Sequence, residues 1–317
     1  VKRVRIPGLS IVIPAYNSGE NLTPLVDRLA AVLPSLAGAY ELVLVNDGSR
    51  DGTWDRIRSL VAGHPWIRGI DLQRNYGQHN ALLCGIRAAR HGVIVTMDDD
   101  LQHPPEEIAR LLDKLGEGAD VVYGTAEAQQ HGLWRNLASR MTKRALASAV
   151  GATNAANVTA FRAFRTPVRN AFEHYHGPSV SIDVLLSWGT SRFAAQRVRH
   201  DARRQGVSNY TFRKLASHAL EMMTGFSTWP LRVASLVGFS ATLFGLAVLA
   251  YVLIRYVMAG GSVPGFPFLA AIITIFSGAQ LFALGIMGEY LARMHNRAMD
   301  RPTYAVREDT SPGSNRS

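Results

Sequence analysis

"VIVTMDDDLQHPPEEI", Val93 to Ile108, passes from a β-branched apolar run into three consecutive aspartates, then a polar turn and two prolines. Adjacent carboxylates repel, so a packed domain tolerates them only when they are solvated, protonated or bound to a cation. In an extended segment residues two apart share a face, which would present Asp98, Asp100 and Gln102 together. Hard oxygen ligands of that kind suit Mg2+ or Mn2+, either of which neutralises a diphosphate leaving group. The plainer alternative is a solvated turn in which Asp100 or His103 caps the helix opening at "PPEEI".

The stretch is one unit of a longer alternation. "LSIVIPAYN", "YELVLVNDGS", "IRGIDLQR" and "ADVVYGT" have strand character, and "NLTPLVDRLAAVLPSL", "TWDRIRSLVAGH", "HNALLCGIRAARHG" and "PPEEIARLLDKLGEG" have helical spacing. Strands alternating with helices predict an α/β fold with a parallel-type sheet covered on both faces. Ligands of such sheets bind at the carboxyl ends of the strands, where Asn17, Asp47, Arg74 and Asp98 to Asp100 fall. Neither G-x-G-x-x-G after the first strand nor G-x-x-x-x-G-K-[ST] occurs, which argues against a Rossmann dehydrogenase and a P-loop NTPase.

Beyond about Tyr210 the composition changes. "LRVASLVGFSATLFGLAVLAYVLIRYVM" and "FPFLAAIITIFSGAQLFALGIMGEYL" each exceed the roughly 20 apolar residues that span a bilayer. They predict transmembrane helices near Leu231 to Met258 and Phe266 to Leu291, joined by the uncharged "AGGSVPG" into a hairpin. Arg232 before the first helix and Arg293, Arg297 and Arg301 after the second place both ends on the cytoplasmic side, with Arg255 snorkelling at the opposite interface. "VKRVRIPGLSIVIPAYN" enters a strand before any cleavable apolar region, so an integral plasma-membrane protein with its main domain and both termini in the cytoplasm is expected. The net charge of +10 fits an anionic membrane surface rather than nucleic acid, given the hairpin and the basic "RVRHDARRQGVSNYTFRK" leading to it. The single cysteine, Cys84, reads as a small core residue. Four segments are predicted: a catalytic domain over 1–210, an amphipathic interfacial helix over 211–230, the hairpin over 231–291 and a tail over 292–317. Within the tail, "RPTYAV", Arg301 to Val306, is expected to add as an edge strand to a neighbouring sheet, with disorder from Arg307 onward.

"SIVIPAYN", "VNDGSRDGT", "RNYGQHNALLCGI", "MDDDLQHPPEEI", "GVSNY", "PLR" and "GEYLARMHNRAMDRPTY" occur in an order that resembles the polyprenyl-phosphate glycosyltransferases of glycosyltransferase family 2. The similarity covers about Leu9 to Val306 and is greatest to the undecaprenyl-phosphate aminoarabinose-type members of this dolichyl-phosphate mannose synthase-like group. It implies a GT-A nucleotide-sugar-binding domain that transfers a sugar from a nucleotide-diphosphate donor to a polyprenyl phosphate. It further implies Mg2+ or Mn2+ held by Asp98, Asp100 and Gln102, with Asp98 and Asp100 catalytic. The donor would be bound by Pro14, Tyr16, Asn17, Glu20, Asp47, Arg74 and Asp99, the last at a position that is usually small in the family. Such members form homo-oligomers through the tail, and a tetramer is the size expected.

Departures from the family pattern fall on the acceptor side. Where relatives carry "GD" before an arginine this chain reads "NAANVTAFRAF", so the acid often proposed as catalytic is Ala156; Glu127 and Asn209 replace basic residues. Arg135 and Arg140, in a basic run with Lys143 and Arg144, together with Arg203 and Ser208, are the expected acceptor-phosphate contacts. A phosphate monoester has a second pKa of about 6, so near neutral pH the acceptor is largely ionised without a base. Two other classes fit parts of the sequence. A membrane-anchored scaffold without turnover would fit Ala156, Glu127 and Asn209, and the intact Asp98-x-Asp100 group speaks against it. A processive polysaccharide synthase would carry Q-x-x-R-W, whereas "QHGLWRN" reverses the aromatic and the arginine.

Overall fold

The structure, a computed structural model, describes residues 5–126, 158–177, 180–201, 229–258, 265–299 and 301–311. The chain divides into two compact units, one formed by residues 1–215 with 300–317 and the other by 216–299.

The first unit is built on strands β1 (Ile6–Ala15), β2 (Ala37–Asn46), β3 (Ile67–Leu72), β4 (Val93–Thr96), β5 (Val121–Ala126), β6 (Arg162–Arg165), β7 (Phe193–Val198) and β8 (Val306–Asp309). They form a single sheet in the order β7-β5-β6-β4-β1-β2-β3-β8. β4, β1, β2 and β3 are mutually parallel. β6 runs antiparallel to both β4 and β5, β7 is parallel to β5, and β8 is antiparallel to β3. The last seven residues of β1 are buried, as a central parallel strand covered on both faces requires.

Alternation along β1 sorts the two layers. Leu9, Ile11, Ile13 and Ala15 pack with the buried faces of α1 (Gly19–Leu36), α2 (Thr53–Gly63) and α4 (Ile108–Gly116). In α1 those residues are Leu22, Leu25, Val26, Leu29, Leu33 and Leu36, the three-and-four spacing of one helical face. Val12, Val43 and Val45 point the other way, onto α3 (Gln78–Ala88) and α5 (Ile182–Gly189). Gly85 lets α3 lie close to the sheet, since a Cβ there would sit 2.4 Å from Val12 Cγ1.

The chain runs β1-β2-β3 outward in one direction and then returns to β4 on the far side of β1. That reversal opens a crevice beyond the carboxyl ends of β1 and β4. The β4 end is held from behind. Arg162 on β6, 2% exposed, donates from Nε to Thr96 Oγ1 at 3.1 Å and pairs with buried Asp183 at the start of α5. The Tyr123 hydroxyl donates to the same Asp183 oxygen at 3.0 Å.

Two expectations are corrected here. β4 stops at Thr96, and Leu101 takes a left-handed backbone with φ of 60°, so Asp98 to Gln102 form a turn rather than an extended run. In the tail the strand is Val306–Asp309, displaced toward the C-terminus from Arg301 to Val306, and it pairs with β3 of its own chain. Arg307, expected at the start of a disordered stretch, lies in that strand. Arg68 clamps the end of it, donating from Nε and Nη2 to both Asp309 oxygens at 3.0 and 2.5 Å.

The second unit contains helices α6 (Trp229–Met258) and α7 (Phe266–Ala298). Gly245 on α6 faces the Phe276 ring on α7, and a Cβ there would come within 2.3 Å of it. Among the described residues one stretch, Val233–Val252, has the length and apolarity to cross a membrane, with mean hydropathy 2.1 and 6% of it buried. Of the segment expected as an interfacial helix, Trp229 and Pro230 begin α6, and 211–228 lie outside the described residues.

Candidate active site

Four loops meet at the carboxyl edge of the parallel strands around a cleft of about 260 Å3. Pro14, Ala15 and Tyr16 line it from the end of β1, and Asp47 from the end of β2. Asn75, Gly77 and Gln78 come from the β3–α3 loop, and Asp98, Asp99 and Asp100 from the turn after β4. Tyr16 stands at the mouth with 46% of its surface exposed, an aromatic face free to stack on a planar ligand. Gly48, with φ of 62°, lets the β2 loop pass the β3–α3 loop, since a Cβ would meet the Arg74 carbonyl carbon at 2.3 Å.

Asp47 is 2% exposed and accepts from the backbone amides of Tyr76 at 2.7 Å and Gly77 at 2.9 Å. Burial pushes its carboxyl above the usual range, and those two amides oppose the shift. Asp98 accepts from Gln78 Nε2 at 2.6 Å. Burial also raises the Asp99 carboxyl; the Ser18 hydroxyl and the Tyr16 amide pull against it, and the Asp100 charge adds to it. Asp100 accepts from the Gln102 amide at 3.1 Å, which closes the turn over left-handed Leu101.

Beside the turn, His103 stacks on Phe161 with ring centroids 5.1 Å apart and meets His200 edge-on at 4.8 Å. Burial, then the neighbouring His200, pushes His103 down to about 4 against the opposing pull of Asp100, so it is neutral at pH 7. The Asp201 amide donates to the Gln102 carbonyl at 2.8 Å, docking the 199–201 segment on the acidic turn.

Of the residues expected from sequence, Pro14, Tyr16, Asp47, Asp98, Asp99 and Asp100 converge on the cleft. Asn17, Glu20, Arg74 and Gln102 stand beside it rather than on its wall. Asn17, with φ of 50°, accepts through Oδ1 from the Arg50 amide at 3.0 Å, and its own amide donates to Ser49 Oγ at 3.0 Å. It therefore ties the β1 and β2 loops together. Glu20 is exposed in the first turn of α1, and the Arg74 guanidinium lies 4.5 Å over the Tyr76 ring. Arg135, Arg140, Arg203 and Ser208 lie outside the described residues, as do Glu127, Lys143, Arg144, Ala156 and Asn209. Asn75, Gly77, Gln78 and His200 were not singled out from sequence. "NYGQHN", Asn75 to Asn80, marks a glycine-led loop entering a helix but does not assign any of its side chains to a ligand.

Among the described residues no three His, Cys, Asp or Glu side chains form a cluster that holds a metal ion by itself. Asp98 to Asp100 nonetheless supply the hard oxygen donors that Mg2+ or Mn2+ takes, and such ions are held by one or two carboxylates completed by water and substrate phosphates.

A parallel half-sheet with a carboxylate-lined cleft at its switch point defines a nucleotide-sugar-binding domain of the GT-A type. Glucosyl-3-phosphoglycerate synthase from Mycobacterium tuberculosis, solved with Mn2+, uridine diphosphate and glucosyl-3-phosphoglycerate, shares this fold. Its TM-score is 0.52 at 18% identity, covering 69% of this chain and 78% of that one. Residues 10–173 match the model of glycosyl transferase family 2. The undecaprenyl-phosphate 4-deoxy-4-formamido-L-arabinose transferase of Yersinia pestis (strain Pestoides F) is 38% identical over 311 residues, 96% of this chain and 94% of the relative. That of Yersinia enterocolitica serotype O:8 / biotype 1B is 38% identical over 313 residues, with the same coverage of both chains. The chain belongs to glycosyl transferase family 2, and it is a glycosyltransferase related to the undecaprenyl-phosphate aminoarabinose-type transferases.

Proposed function

We propose that the protein transfers a single sugar from a nucleotide-diphosphate sugar to undecaprenyl phosphate or a similar polyprenyl phosphate. The observation that carries the proposal is the convergence of Asp98, Asp99 and Asp100 on the cleft at the sheet's switch point, in a chain that matches lipid-phosphate sugar transferases along 96% of its length. Tyr16 and Asp47 would flank the nucleotide, with Asn75, Gly77 and Gln78 on the loop that Asp47 holds through the Tyr76 and Gly77 amides. Asp98 and Asp100 would hold Mg2+ or Mn2+, which offsets the charge of the departing diphosphate. An oxygen of the lipid phosphate attacks the anomeric carbon, the bond from that carbon to the diphosphate breaks, and the electron pair leaves with the nucleoside diphosphate. Configuration inverts. The acceptor is already an anion, so the missing acid at Ala156 does not block the step; bringing two anions together is the greater cost, and Arg135, Arg140, Arg203 and Ser208 are assigned to it.

The reaction belongs at the cytoplasmic face of the plasma membrane, with α6 and α7 as a hairpin whose cytoplasmic ends carry Arg232, Arg293, Arg297 and Arg301. Asp98→Asn and Asp100→Asn should each lower transfer by roughly a hundredfold or more while leaving thermal stability near wild type. Chelation by EDTA should do the same to the unaltered protein. Undiminished transfer in both variants and in EDTA would remove the acidic turn from the chemistry.

A further inference from the structure

We propose that Arg307, on the strand that follows the second helical unit in sequence, is a positioning residue for the donor-nucleotide cleft. The pairing of β8 with β3 slips between Asp71 and Leu72: Leu72 faces Val306 and Asp71 faces Glu308, which leaves Arg307 as the extra residue of a bulge. Bulges on edge strands re-aim a side chain. Here the half-exposed guanidinium reaches Asp71 on β3 and Gln73 just beyond it, which lead into two of the loops that build the cleft.

Its first contact is Asp71, 2% exposed, whose Oδ2 lies 3.3 Å from Arg307 Nη1. The other Asp71 oxygen accepts from Asn46 Nδ2 at 2.7 Å, and Asn46 Oδ1 lies 3.4 Å from the Ser49 amide. Asn46 is the residue immediately before Asp47, so this relay fixes the β2 end that enters the cleft. The second contact is the β3–α3 loop. Arg307 Nη2 donates to the Gln73 carbonyl at 2.6 Å, and the Gln73 amide donates to the Ala305 carbonyl at 2.9 Å. Two and four residues further on, Asn75 and Gly77 line the cleft, and Asp47 binds the amides of Tyr76 and Gly77. One side chain from the tail thus braces both loops that Asp47 joins. A buried carboxylate that loses its cation is strongly unfavourable, so Asp71 would reorganise the Asn46 link without Arg307.

The inference rests on the donor-site reading above, and it predicts an effect on donor binding alone. Wild type, Arg307→Ala, Arg307→Lys and the double variant Asp71→Asn with Arg307→Ala would be titrated calorimetrically with UDP, GDP, CDP and ADP in the presence of Mn2+, and donor and acceptor KM and kcat would be measured. For the nucleotide that wild type binds, Arg307→Ala should weaken affinity by about three- to tenfold, the effect being moderated by the solvent exposure of the guanidinium. Donor KM should rise in step, with kcat and acceptor KM unchanged. Arg307→Lys should fall between, keeping the charge and losing the second contact. The double variant should recover most of the loss, because the uncharged amide that replaces the Asp71 carboxylate still accepts from Asn46 without needing a cation. Equal nucleotide affinity in wild type and Arg307→Ala, a defect confined to kcat or acceptor KM, or a double variant worse than the single would each overturn the inference alone. Wild-type protein that binds none of the four nucleotides would overturn the donor-site reading and the inference with it.

Discussion

At the residue scale the acidic turn owes its form to its neighbours as much as to its own charge. Asp98 is oriented by Gln78, whose amide donates at 2.6 Å from the first turn of α3. Gln78→Ala should therefore lower kcat/KM by roughly tenfold, with a smaller effect on melting temperature, since it removes one hydrogen bond to a charged group. Gln78→Glu should be worse than Ala, because it sets a like charge against Asp98. Steady-state kinetics of the two variants decides the point, and activity equal to wild type in both would dissociate Gln78 from the site. The positions of Asp47 and the three aspartates are legible in the sequence because each follows directly on a strand-like apolar run. Gln78 and Asn75 were not, because polar residues at a helix entry look the same whether they cap the helix or face a ligand. The expected metal face of Asp98, Asp100 and Gln102 assumed strand geometry, which left-handed Leu101 replaces with a turn; Gln102 instead meets the 199–201 segment through its carbonyl.

At the element scale the parallel core is readable from period and turn residues, and the tail only in part: an edge strand, but not which residues form it. β8 carries "VRED", a charged sequence with no strand signature of its own. It is held in place by partners more than two hundred residues away: Arg68 on Asp309, Asp71 on Arg307, and Trp54, whose Nε1 donates to Glu308 at 3.3 Å. Non-local pairs of this kind leave no trace in local periodicity. Burial works to raise the Asp309 carboxyl, but hydrogen bonds from Arg68 and Ser311 outweigh it and hold it below the ordinary carboxylate range. A depressed folded-state pKa means that this stabilisation is complete above the ordinary carboxylate value and is lost as pH falls through the folded one. Asp309→Asn should accordingly cost about 2 kcal/mol at pH 7, the scale of one nearly buried charged hydrogen-bonded pair. The difference from wild type should shrink to near zero in strongly acidic solution. Hydrogen exchange of the β8 amides, normalised to the intrinsic rate at each pH, reads this directly. A deficit that persists unchanged at low pH would show that the clamp is not electrostatic.

At the scale of the whole molecule, composition alone separated an α/β domain from an apolar C-terminal region, and α6 and α7 fall where the long apolar runs lie. α6 is apolar around its circumference over Val233–Val252, which gives it the length and apolarity to cross a membrane. That the tail adds a strand to a sheet edge is legible in the sequence, but its residues and the edge it joins are not, because which edge a short strand joins depends on what that edge leaves unpaired. The central claim concerns the molecule as a unit: a family 2 domain and a helix long and apolar enough to cross a membrane, in one chain, fit a soluble donor and a lipid acceptor. The direct test is mass spectrometry of the lipid fraction after purified protein, in bilayers containing undecaprenyl phosphate and Mn2+, is given a panel of nucleotide sugars that includes the formamido-arabinose donor. The account predicts one donor giving a polyprenyl phosphate heavier by a single sugar residue, with one nucleoside diphosphate released per lipid modified and no product from Asp100→Asn. A polymer on the lipid, nucleoside diphosphate release without lipid modification, or no turnover of any donor would contradict it.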